Sequence, residues 1–185
     1  MVSLTALWLP IVLSAVVVFF ASFVMHMVLT YHQKDYGRLP NEDKVIAALG
    51  PLRIPPGDYL MPHGGSPAAM KDPAFIAKMT AGPVALITVR PSGPPAMGAA
   101  LGQWFIFTLV VSAVAAYVAS RAVAPGADYL SVFRFAGTTA FACYAMGQIP
   151  ASIWMGRNWG TTFRAVIDGL VYGLLTAGVF GWLWP

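Results

Sequence analysis

The sequence predicts an all-α membrane protein, with four transmembrane helices and an extramembrane loop of about 65 residues between the first two. Only 10% of the 185 residues are charged, whereas soluble domains contain about 25%. Of the 18 charged residues (11 Lys and Arg plus 7 Asp and Glu), most lie between Lys34 and Arg90, and residues 1–33 and 91–120 contain none. A hydrocarbon core of about 30 Å takes about 20 apolar helical residues to cross, so these uncharged stretches are long enough to span it.

The predicted spans are continuous apolar runs. Backbone polar groups in lipid must bond within their own segment, which favours helices, and the alternating pattern of an outer-membrane barrel is missing. Pro10 lies near the start of the first span, where its missing N–H is harmless. In chain order, the spans are predicted at 7–29, 97–120, 129–153 and 162–183. The chain thereby divides into a first helix (1–30), a loop (31–96) and the last three helices (97–185).

The first apolar run is interpreted as a retained span. A secretory signal has a basic start and an apolar core of about 7–15 residues. Here no Lys or Arg precedes Lys34, and the apolar run is about twice as long as such a core.

Aromatic and basic residues predict the topology. Trp and Tyr gather at membrane interfaces, and Lys and Arg accumulate on the cytoplasmic side. We therefore expect loop 31–96 in the cytoplasm and both termini outside a cytoplasmic membrane, and the Ala-, Gly-, Val- and Pro-rich composition suggests a bacterium. One interface is predicted to hold Trp8, Tyr129, Trp182 and Trp184, and the other Tyr31, Trp104, Trp154 and Trp159. The loop side carries Lys34, Arg38, Lys44, Arg90, Arg157 and Arg164, against Arg121 and Arg134 opposite.

The loop is expected to contain short ordered elements. Residues 40–49 predict a helix with acidic residues in its first turn, and Asp72-Pro73 predicts the start of another that ends at Gly82. Residues 54–59 have the composition of a turn, whereas 84–89 are typical of a strand. A lone strand is not stable, so it must pair within the loop or with a partner.

Small residues recur every four positions in the fourth span, which places them along one helix face. Such a face lets another helix backbone approach closely, either within the bundle or on another protein. This small-residue ladder consists of Ala165, Gly169, Gly173, Ala177 and Gly181.

Three charged residues are predicted within or near the spans. Asp168 is the one intramembrane carboxylate, and Arg164 precedes it by one helical turn, so the two are expected to pair close to the interface. Arg134 lies near a span end, from which its long side chain can reach the headgroups. Functional use of Asp168 as a proton or ion site is the alternative interpretation.

His26, late in the first span, is the candidate cofactor ligand. We expect an interfacial histidine and neither cofactor nor metal; the alternatives are a haem, in which Met146 or Met155 would complete the ligation, a chlorin pigment or copper. His32 and His63, with the loop methionines Met61, Met70 and Met79, form a weaker copper pattern.

Other chemistries are excluded by the sequence. The single cysteine, Cys143, rules out an internal disulfide, CxxCH haem attachment and a cysteine zinc site. The net charge of +4 is scattered, so nucleic-acid binding is not predicted. Gly-x-Ser-x-Gly, His-Glu-x-x-His and phosphate-loop motifs are missing.

We therefore expect a non-catalytic accessory, assembly or stabilising subunit, which packs through its small-residue faces onto other membrane subunits or onto itself in the bilayer. The alternative is a small homo-oligomeric transporter or channel that uses Asp168 and Arg164, or a cofactor- or pigment-binding subunit that uses His26. The sequence shows neither an inverted repeat nor a doubly broken helix, which argues against transport.

Overall fold

The computed structural model describes residues 1–185 and is mostly helical. The chain forms two compact units: residues 1–37 with 96–185, which we call the bundle unit, and residues 38–95, which we call the loop unit. The helices are α1 (Trp8–Phe23), α2 (Glu42–Leu49), α3 (Pro73–Ala81), α4 (Met97–Ala122), α5 (Tyr129–Ala145), α6 (Ile149–Trp154) and α7 (Trp159–Trp182). The strands are β1 (Gly57–Met61) and β2 (Ala85–Val89).

Three helical stretches are long and apolar enough to cross a membrane, which fits a membrane-embedded protein. They are Leu4–Val28, Met97–Ala122 and Trp159–Trp182, with 25, 26 and 24 residues. The third predicted span, 129–153, differs from the structure. There α5 has 17 residues, and the 3-10 turn Met146–Gln148 separates it from α6. Pro150 lacks an N–H, so it suits the first turn of α6 and not the interior of one long helix.

Four of the five helices of the bundle unit form its core. Helix α1 packs on α4 and α7, and α5 packs on α4 and α7, so the four close into a ring. An apolar cluster at one end joins Leu7, Ala116, Val132 and Phe180, all fully buried. Some polar groups also pair between the helices: the Ser14 hydroxyl of α1 donates to the Ser112 hydroxyl of α4 at 3.0 Å.

The small-residue ladder of α7 faces α5. A Cβ at Gly169 would lie 2.8 Å from the Cβ of Ala145, and one at Gly173 would lie 3.1 Å from the backbone nitrogen of Phe141. Such distances are too short for ordinary side chains, so glycine is what permits the approach. Helix α5 therefore packs on this face, which accounts for the ladder within the bundle unit.

The loop unit contains a two-stranded antiparallel sheet. Strand β1 pairs with β2 from Gly57 opposite Val89 to Met61 opposite Ala85. The partner of the predicted strand thus lies within the loop, whereas residues 57–59 of the predicted turn belong to β1. Asp72 caps α3 by accepting a hydrogen bond from the Ala74 backbone N–H at 2.8 Å.

We expect Gly169→Ala to lower the free energy of unfolding by about 1–3 kcal/mol, because its methyl group would press on the backbone of Ala145. Thermal unfolding of the detergent-solubilised protein measures the effect. Gly102→Ala is the matched control: nothing lies within 4 Å of its Cβ position, so it should leave stability unchanged or raise it by up to about 1 kcal/mol. Equal effects of the two substitutions would contradict the packing described.

Candidate functional site

The polar site begins where α1 stops being a regular α-helix. Residues Val24–Val28 form a π-helical turn, Leu29 is extended, and Thr30–Lys34 form a 3-10 turn. Single π turns are rare and often occur at functional sites. This sequence of turns brings His26, Tyr31 and His32 next to α7, on which Asp168 stands.

Asp168 lies at the centre of the site and is only 4% exposed. The Tyr31 hydroxyl donates to its Oδ1. Its Oδ2 faces both histidines, 2.9 Å from Nε2 of His32 and 3.7 Å from Nε2 of His26. A buried carboxylate needs such partners, because moving an unpaired charge away from water is costly.

Arg164 pairs with Asp35 and not with Asp168, which corrects the predicted ion pair. Its Nε donates to Asp35 Oδ1 at 2.6 Å, while Nδ1 of His32 lies 2.6 Å from Asp35 Oδ2. The helical spacing of Arg164 and Asp168 permitted their pairing, but Asp35 offers Arg164 a second carboxylate from outside the span. Burial raises the pKa of Asp35, yet the hydrogen bonds and charges of His32 and Arg164 outweigh it and lower the pKa below its usual value.

Tyr31 is held in its protonated form. Burial raises its pKa above the ordinary value, and the hydrogen bond to Asp168 and the charges of Asp168 and Asp35 raise it further. The hydroxyl therefore remains a donor, and Oδ1 of Asp168 is its acceptor.

The hydrogen bonds assign the histidine tautomers. Nδ1 of His26 lies 3.1 Å from the backbone carbonyl of Ser22, and a carbonyl can only accept, so this nitrogen carries a proton. Nδ1 of His32 likewise donates to the carboxylate of Asp35. When each ring holds this proton alone, its Nε2 bears a lone pair directed at the site. Nε2 of His32 is buried without a hydrogen-bond partner, since its 2.9 Å approach to Asp168 lacks hydrogen-bond geometry.

Three potential metal ligands thus meet at one point. The ligand atoms of His26, His32 and Asp168 all lie within 4.8 Å of one another. Ligands of a tetrahedral ion with bonds of about 2.0–2.1 Å stand about 3.3 Å apart, so small side-chain movements would suffice. The two imidazole rings stack with their centroids 4.2 Å apart and their planes 10° apart, and they would turn slightly for both lone pairs to converge.

An aromatic cluster lies beside the polar residues. Tyr172, one helical turn beyond Asp168, packs against Trp104 and Tyr144. Trp104 donates from Nε1 to the Ser22 hydroxyl at 2.8 Å, whereas the buried hydroxyls of Tyr144 and Tyr172 have no partner. Predicted as an interfacial residue, Trp104 packs between helices of the bundle.

The structure gathers some of the predicted residues and separates others. His26, Arg164 and Asp168 come together, whereas Arg134 stands on α5 and contributes nothing to the site. Met146 and Met155, the methionines considered as haem ligands, are both exposed.

Sequence reasoning missed Tyr31, His32 and Asp35 as members of this site. Their signal was a dense run of ionisable and aromatic side chains directly after an apolar span. Residues 26–35 contain two histidines, a tyrosine and an aspartate, but the predicted helix end assigned most of them to the loop.

The chain matches no protein-family model, no curated protein and no solved structure.

A double-mutant cycle tests the pairing of Arg164. We expect Arg164→Gln and Asp35→Asn to be coupled by about 0.5–3 kcal/mol in the free energy of unfolding, because each removes one side of the same ion pair. The cycle of Arg164→Gln with Asp168→Asn should give the smaller coupling. Thermal or denaturant unfolding in detergent provides both values, and a larger coupling to Asp168 would contradict the assigned pair.

Proposed function

We propose that this chain is an integral membrane protein that binds one divalent first-row metal ion through His26, His32 and Asp168. The observation that carries the proposal is the arrangement of the two imidazoles. Each donates from Nδ1 to an acceptor behind it, the Ser22 carbonyl or the Asp35 carboxylate, and turns Nε2 toward Asp168. Metal-binding histidines in proteins are held in this way, because the second hydrogen bond fixes the tautomer and the ring direction.

The ligand set favours zinc or a similar ion. Two imidazole nitrogens and one carboxylate oxygen suit Zn²⁺, and they equally suit Fe²⁺ in a site with open positions. Mg²⁺ and Ca²⁺ prefer oxygen ligands, so two histidines argue against them. The side chain of His26 is 49% exposed, which leaves room for water or another small ligand at a fourth position.

Asp35 and Arg164 support the ligands without belonging to them. Asp35 holds Nδ1 of His32, and Arg164 holds Asp35 from the other side. Loss of a supporting group of this kind typically reduces metal affinity about 10–100-fold. The sequence predicts neither a cofactor nor a metal, whereas this proposal assigns the chain a bound metal ion.

A proton shared among the same atoms is the competing explanation. A proton on Nε2 of His32 would form a straight hydrogen bond to Asp168 Oδ2, and that geometry is missing. A metal ion has no such requirement, because it lies between the ligand atoms and not on the line joining them. Metal binding therefore accounts better for the arrangement.

The broader roles remain predictions. A non-catalytic subunit of a larger complex, in a bacterial cytoplasmic membrane, is compatible with a bound metal. Because α5 packs on the small-residue ladder of α7, such a subunit would dock through other surfaces. We also propose that α5 crosses the membrane as a fourth, short span, because it closes the ring of helices, and that the metal site lies on the cytoplasmic side.

Calorimetric titration of the full-length, EDTA-treated protein with Zn²⁺ tests the proposal. We expect one ion per chain, and a stabilisation of about 2.7 kcal/mol when free Zn²⁺ is 100 times the Kd. His26→Gln should weaken binding by at least about 10–100-fold, the range of a lost supporting group. Since His26 is half exposed and its one hydrogen bond is to the Ser22 carbonyl, its loss should leave the fold intact.

The matched control is His63→Gln, in the loop unit, which should bind Zn²⁺ as the unsubstituted protein does. Titration with Mg²⁺ should show no comparable binding. If His26→Gln binds Zn²⁺ unchanged, or if the protein binds no ion while correctly folded, the proposed function is wrong.

A further inference from the structure

A groove runs between α5 and α7, away from the metal ligands. It encloses about 220 Å³ and is lined by side chains from both helices. Its floor is formed by Gly137 and Gly173, where the two helices approach closely. Its walls are the apolar side chains of Phe133, Phe141, Leu170 and Leu174, with Thr138 between them.

A single cation stands at one end of this groove. Arg134 lies in the second turn of α5, is exposed and forms no salt bridge. The nearby Asp128 accepts hydrogen bonds from the backbone N–H and the hydroxyl of Ser131. The charge of Arg134 also helps to lower the pKa of Asp128, but the two side chains form no salt bridge. An arginine near the end of a membrane helix extends its guanidinium to the headgroup level and there favours an anion.

The dimensions fit one lipid chain. From Arg134 to Phe141, the groove follows α5 for about 10 Å, at about 1.5 Å per residue. That length covers most of one leaflet, which is about half of a 30 Å core. The chain carries a net charge of +4, so a second copy is a less favourable neighbour for Arg134 than an anionic lipid.

We propose that this groove binds one acyl chain of an anionic phospholipid, whose phosphate pairs with Arg134. Guanidinium and phosphate form strong paired hydrogen bonds. The apolar walls bind any acyl chain, whereas Arg134 adds the preference for a net negative headgroup. This site depends on neither the metal nor its ligands.

Native mass spectrometry of the full-length protein, with dioleoyl phosphatidylglycerol or dioleoyl phosphatidylcholine added to the detergent, tests the site. We expect phosphatidylglycerol to bind about five-fold more tightly, the effect of one basic residue near a membrane surface. Arg134→Gln should abolish this preference. Arg121 lies over the ring of Tyr117, outside the groove. Arg121→Gln removes the same charge and should keep most of the preference for phosphatidylglycerol.

A groove-filling variant separates binding in the groove from attraction to the surface. Thr138→Phe should reduce the binding of both lipids, and Thr138→Leu serves if the larger side chain prevents folding. Inorganic phosphate at the same concentration should not compete with the lipid. Equal loss of preference in Arg134→Gln and Arg121→Gln would overturn the proposal, as would unchanged lipid binding in a folded Thr138 variant.

Discussion

The buried carboxylate of Asp168 is the constraint on which the rest of the bundle unit depends. It lies on a helix long and apolar enough to cross a membrane, where an unpaired charge is unfavourable. Its hydrogen-bond donor, Tyr31, comes from the chain beyond α1. The end of α1 therefore has to turn back onto α7, and the π and 3-10 turns achieve this.

That arrangement in turn needs a rigid frame. Helices α5 and α7 approach so closely that no side chain fits at Gly169, and packed interiors of this kind resist displacement. Because Gly169 directly follows Asp168, its close packing on α5 also fixes where the Asp168 carboxylate lies. The groove beside Arg134 also lies between α5 and α7, so the packing of these two helices shapes both the polar site and the groove.

The sequence predicts the class of fold and one side of the site. Charge-free runs and their lengths are enough to indicate a helical membrane protein with apolar spans, because bilayer thickness sets the length of a helix. His26, Asp168 and Arg164 could be selected because ionisable groups are rare there. The partners of these residues could not be selected from the sequence. Arg164 pairs with Asp35 because the fold brings the two together, and helical spacing does not encode that contact.

The break between α5 and α6 illustrates the same limit. Hydropathy is continuous across residues 129–153, so periodicity predicts one helix. In the structure the helix is interrupted before Pro150 instead, because proline lacks the N–H that a continuous helix would use. Similarly, the spacing of the α7 ladder identifies a contact face but not the helix that contacts it.

The hydrogen bond from Tyr31 to Asp168 joins residues 137 positions apart in the chain. Closing so long a loop has an entropic cost that other contacts must already have offset. During synthesis, the residues after α1 emerge before α7, with the loop unit, α4 and α5 between them. The polar site can therefore form only after α7 has been synthesised, and its presence reports that α7 has met the end of α1.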